Sequence, residues 1–135
     1  MTNAAAMLDA YPQERGGFDR DLLIECIEAC FACAQTCSAC ADACLAEDMV
    51  ADMRKCIRTN LDCADICDTT GRVLSRHTGY DANLTRAVLE ACRAACKACG
   101  AECSEHATMH EHCRICADAC HRCEQACDAL LSSMG

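Results

Sequence analysis

Four long stretches of the chain repeat small apolar residues at alternating steps of four and three, with polar and charged residues between them. That spacing keeps one stripe of side chains on a single face of an α-helix. The stretches are read as helices from Asp19 to about Glu47, about Asp48 to Arg76, Asp81 or Asn83 to about Ala107, and Thr108 to about Ser132. Alanine, leucine, glutamate and arginine dominate them, and all four residue types favour helix. No strand pattern interrupts them. Asp19 is the expected N-cap of the first helix, with Phe18 and Leu23 spaced as a hydrophobic staple. The run from His77 to Tyr80, with Gly79 inside it, separates the second helix from the third. Thr108 and Glu111 are spaced as a capping box for the fourth. Ahead of these lies a short apolar segment, Ala4 to Tyr11, which ends before the only proline, Pro12. Gln13 to Gly17 reads as a linker.

Short connections make successive helices antiparallel neighbours. The expected fold is all-α: an antiparallel up-down-up-down four-helix bundle with a short N-terminal helix. Residues 1–17 form that short helix and its linker, and residues 18–135 form one bundle domain.

The stripes themselves are almost pure cysteine. The first helix carries Cys26, Cys30, Cys33, Cys37, Cys40 and Cys44, an unbroken heptad seam about 27 Å long at 1.5 Å per residue. The third carries Cys92, Cys96, Cys99 and Cys103; the fourth carries Cys113, Cys116, Cys120, Cys123 and Cys127. The second has only Cys56, Cys63 and Cys67, with Asn60 in the seam position between the first two. All 18 cysteines fall on inward faces. One or two buried cysteines act as small hydrophobes. Eighteen in register do not read that way, because alanine or leucine packs as well without the risk of oxidation.

Neighbouring seam positions lie roughly 5–6 Å apart at Cβ, wider than the roughly 3.5–4.5 Å of a disulfide. Two metal–sulfur bonds of about 2.3 Å span such a gap. Thiolate is a soft ligand that selects Cu(I), zinc or iron–sulfur clusters. Zinc prefers discrete tetrahedral sites, and an uninterrupted ladder offers no obvious discrete quartets. Charge points the same way. One Cu(I) per thiolate leaves a neutral core, whereas unpaired buried thiolates are costly. Copper(I), at about one ion per cysteine, is therefore the expected metal, with no separate cofactor. A zinc or cadmium buffer stays open as the alternative, and an iron–sulfur electron carrier as a weaker one. The CxxC pairs are by-products of the repeat and match neither ferredoxin spacing.

The two bundle ends differ. Antiparallel topology brings Met49, Met53, His106 and either Met109 or His110 to one opening. His106, His110 and Met53 are the candidate entry ligands. His112 reads as a solvated neighbour, and His77 and His121 receive no role. Phe18, Leu22, Leu74, Leu84, Val88, Leu89, Leu130 and Met134 form an apolar plug at the other end.

The net charge of −9 argues against nucleic acid and an anionic membrane surface as partners. No apolar run is read as a membrane span. Residues 1–17 show no charged n-region, apolar h-region or twin-arginine pair, so a cytoplasmic location is expected. Reduced thiols suit that compartment. No Ser/His/Asp set, phosphate loop or paired carboxylates mark an enzyme.

The CxxxCxxCxxxCxxCxxxC run from Cys26 to Cys44, the shorter runs in the third and fourth helices, and the pair His106 and His110 resemble the bacterial copper storage proteins of the cytosolic type. The likeness runs from Phe18 to Met134. It implies a four-helix bundle filled with Cu(I)–thiolate sites, a homotetramer, and a role in copper storage and detoxification. Its partners are then copper ions and cytosolic copper donors or acceptors.

Overall fold

The computed structural model describes residues 2–14 and 17–134. Met1, Gly135, and the Arg15 and Gly16 of the expected linker lie outside the described residues. Five helices occur among those described: α1 (Ala4–Ala10), α2 (Arg20–Leu45), α3 (Arg54–Leu74), α4 (Ala82–His106) and α5 (Glu111–Ser133). A single 3₁₀ turn, Val50–Met53, leads into α3.

Two of the long helices start where their caps dictate. The Asp19 carboxylate accepts the Leu22 N–H at 2.9 Å, and Asp81 accepts the Leu84 N–H at 3.0 Å. Each satisfies a donor that the first helical turn leaves unpaired. The expected capping box at Thr108 does not form. Residues 107–109 are a turn, and His110, in an extended conformation, is the N-cap of α5. Glu111 therefore stands at the first helical position, where it pairs with Arg114 one turn on.

α2 packs on α3 and α5, and α4 packs on the same two helices, so the four form a ring. Contacts between ends establish the antiparallel sense. Cys26 meets Cys127 and Cys40 meets Cys113 across α2 and α5. Cys56 meets Cys103 and Cys67 meets Cys92 across α3 and α4. Gly71 lets α3 approach α2 closely, since a Cβ there would lie 2.8 Å from the Phe31 ring. Gly79 takes a φ of +68° in the turn between α3 and α4, a region that glycine enters without strain.

α1 lies across α2. Its buried Leu8 joins the same cluster as Ile27. Thr2 bonds the Glu28 carboxylate, Arg20 pairs with Asp9, and the Tyr11 ring meets His77 edge-on at 5.3 Å. One stripe of α2 is thus covered by the chain's own N-terminal segment. At the same end of the bundle, Leu23, Leu74, Leu89 and Leu130 are buried, and Phe18 meets Tyr80 edge-on. Leu84 departs from the expected plug: it is 57% exposed in the first turn of α4.

α2 also corrects the expectation about membrane spans. By length and composition it is apolar enough to cross a bilayer. Much of that apolar character belongs to its six cysteines, all of which are buried against the other helices.

Candidate metal centre

Each cysteine reaches the axis because its helix repeats at the heptad spacing and the ring of helices closes over that seam. All 18 are buried and unbridged. Their sulfurs form a connected column. Neighbours include Cys67 and Cys96 at 3.5 Å, Cys37 and Cys116 at 3.6 Å, Cys33 and Cys37 at 3.7 Å, and Cys30 and Cys123 at 3.8 Å. In an apolar interior a thiol finds few other partners, so most of these thiols lie against a neighbouring sulfur.

Sets of four sulfurs lie mutually within 4.8 Å. That limit spans the roughly 4.5 Å between two sulfurs that share one metal through bonds of about 2.3 Å. Quartets that the ladder does not show along any one helix are therefore present, each assembled from three helices at once. They overlap, however. Cys33 and Cys63 belong both to the set with Cys67 and Cys96 and to the set with Cys37 and Cys120. Cys37 and Cys120 recur in a third set with Cys99 and Cys116. Sulfurs shared between sets suit bridging thiolates better than separate closed sites.

Asn60 does not leave a gap. It is fully buried, and its Oδ1 accepts the thiols of Cys99 and Cys116, each at 3.0 Å. Cys103 approaches the same oxygen at 3.6 Å, and Nδ2 faces Cys56 at 3.4 Å. The amide joins the thiols of α3, α4 and α5 at the point where the α3 seam lacks a cysteine.

Beyond Asn60 the column opens toward the histidines. Met53 is fully buried, whereas Met49 and Met109 are largely exposed. Of the three methionines near this end, only Met53 faces the interior. The His106 and His110 side chains are 14% and 10% exposed. His106 Nε2 lies 3.2 Å from Glu102, and His110 Nδ1 lies 3.1 Å from Glu47. The other ring nitrogen of each, His106 Nδ1 and His110 Nε2, is buried and has no hydrogen-bond partner among the described residues. A buried polar atom in that state calls for a ligand.

Sequence reasoning missed His112. Its Nδ1 sits 3.4 Å from Cys40 Sγ and 3.6 Å from Cys113 Sγ, and its Nε2 bonds Glu47 at 2.8 Å. With Cys40, Cys44 and Cys113 it makes a four-donor set at the outer end of the column. The signal was the true start of α5: with His110 as the cap, His112 falls in the first turn, beside the end of α2. Burial pushes the Cys113 thiol up to about 11 and raises Cys44 in the same direction. Both are held as neutral thiols until something replaces the proton.

His121 and His77 lie apart from these donors. His121 packs over Gly100 on the outer surface, and His77 rests against Tyr11.

A bundle with 18 buried thiols, soft side donors at one end and an apolar seal at the other defines a metal–thiolate container. The chain belongs to the copper storage protein family, whose model matches residues 19–132. It is 62% identical to a Streptomyces lividans copper storage protein loaded with 10 copper equivalents, covering 96% of this chain and 98% of that one at a TM-score of 0.95. A structure of copper loading to a cytosolic copper storage protein from the same organism, with five coppers, is 64% identical; 85% of this chain and 96% of that one align at a TM-score of 0.84. The Cu(I)-bound Bacillus subtilis protein BsCsp3 is 35% identical over 78% of this chain and 94% of its own, at a TM-score of 0.70.

Proposed function

We propose that this chain takes up Cu(I) at the histidine end and stores it on all 18 cysteine thiolates of the bundle interior, in the cytosol. The observation that carries the reading is the connected sulfur column, in which all 18 thiols are buried and none is bridged. Cysteines 26, 30, 33, 37, 40, 44, 56, 63, 67, 92, 96, 99, 103, 113, 116, 120, 123 and 127 are the storage ligands. His106, His110 and Met53 are the entry ligands, and His112 joins them through its contact with Cys40. The cytosolic location is supported by the relative described as cytosolic.

The chemistry is proton-for-metal exchange. A thiol binds a soft cation only after losing its proton. Each Cu(I) that enters replaces one proton, so the buried column stays near neutral at any filling level. A divalent ion replaces two protons and needs more ligands per site. Storage rather than catalysis is supported by membership of the copper storage protein family. The same membership is the support for the further proposal that copies of the chain associate as a homotetramer.

The sets of four thiols favour one second reading, a zinc or cadmium buffer. Competition separates the two. Reduced protein is equilibrated anaerobically with Cu(I) and Zn(II) together, each buffered by its own chelator, and the bound metals are counted. Copper filling the column and displacing zinc supports storage of Cu(I). Retention of zinc against buffered Cu(I) overturns it.

A further inference from the structure

Three carboxylate contacts lie just outside the entry donors. Glu102, itself buried, accepts from His106 Nε2 and also meets Lys55 at 3.5 Å. Glu47 Oε2 accepts from His112 Nε2 at 2.8 Å and also lies 3.1 Å from His110 Nδ1. Those two rings are stacked, with centroids 5.3 Å apart and planes 11° from parallel. A carboxylate can only accept, so the ring nitrogen facing it carries the hydrogen and the opposite nitrogen keeps its lone pair. The bare nitrogens are then His106 Nδ1, His110 Nε2 and His112 Nδ1. The first two are the buried atoms without a partner, and the third faces Cys40 and Cys113.

We propose that Glu47 and Glu102 are positioning residues that lock the three histidines into set tautomers, His106 and His112 as Nε2–H and His110 as Nδ1–H, so that every ring offers its free nitrogen to incoming Cu(I). The proposal rests on the entry role assigned above. Its physical basis is general: a carboxylate bonded to the far nitrogen of a metal-binding imidazole fixes both ring orientation and tautomer. Stacking adds a reason for one residue to serve two rings. Rings held parallel present different nitrogens to the same oxygen only if their tautomers are opposite.

The test reads the tautomers directly. Long-range proton–nitrogen correlation spectra of the imidazoles are recorded on metal-free reduced protein at about pH 8, where imidazole is ordinarily neutral. Opposite tautomers for His110 and His112, with His106 matching His112, are expected. Glu47→Ala should release His110 and His112 into mixed tautomers and leave His106 unchanged; Glu102→Ala should do the converse. Glu47→Gln keeps an acceptor oxygen and should restore the parent pattern. Copper affinity at the outer sites should fall about 10-fold or more in the alanine variants. A shared tautomer for His110 and His112 in the parent overturns the proposal without any variant, and so does an unchanged pattern in Glu47→Ala. Neither result bears on total capacity, so a failed store and a failed positioning role remain distinguishable.

Discussion

The amide oxygen of Asn60 accepts the Cys99 thiol at 3.0 Å, from the one seam position of α3 where the run of cysteines is broken. The same oxygen takes Cys116 at the same distance, so one side chain ties three helices together in the metal-free column. Asn60→Leu keeps much of the volume and removes the acceptor. The thiols of Cys99 and Cys116 then keep only sulfur partners such as Cys37, and the lost bonds to the amide should cost about 0.5–1.5 kcal/mol. Urea unfolding of the reduced, metal-free variant should show that loss, and a stability equal to the parent would mean the amide is merely filling space.

Metal-free reduced protein should already be a helical bundle. The Asp19 and Asp81 caps and the buried Leu23, Leu74, Leu89 and Leu130 all act without copper. Far-ultraviolet circular dichroism should therefore be strongly helical before any metal is added. Leu130→Ala, in the sealed end, should cost about 2–5 kcal/mol of that stability. It should leave copper capacity unchanged, because no thiol is removed. A random-coil spectrum for the parent would make folding metal-dependent instead.

His106→Ala combined with His110→Ala should slow copper transfer from a chelator and hold final capacity almost constant. Loss of a group that merely supports a metal ligand costs about 10-fold or more elsewhere, and two ligands should cost at least that. Stopped-flow transfer followed by a capacity count checks it. Lost capacity at an undiminished rate would place these rings among the storage ligands rather than at an entry.

Serine at Cys33, Cys37 and Cys40 together should lower capacity by about three ions, since each sulfur compensates one charge. Cys33 and Cys37 each belong to more than one overlapping set, so a larger drop would show that whole clusters, rather than single sulfurs, set the count.

The column was legible in the sequence because steps of four and three keep the cysteines on one face of each helix. The cap at Asp19 was legible for a local reason, since the capping side chain and its N–H lie three residues apart, whereas Asp81 showed only as one of two starts for its helix. His112 was not. Reading Thr108 as the start of the last helix moved it away from the end of α2, and only His110, held extended as the true cap, brings its ring to Cys40. Asn60 showed in the sequence as an interruption. Its role depends on thiols from α4 and α5 meeting one oxygen, which no spacing along α3 reveals. Leu84 failed differently. It keeps the apolar period, yet it sits in the first turn of α4 beyond the point where the other helices cover it. The apolar length of α2 was under-read because its residues were counted as ligands before they were counted as hydrophobes.

Anaerobic titration of the reduced protein with Cu(I), reading bound copper and released protons together, tests the central claim most directly. One ion replacing one proton at every thiol predicts saturation at about 18 ions per chain, with about one proton released for each. Saturation near half that number, or two protons per ion, would contradict a neutral, bridged column and favour isolated two-thiolate sites.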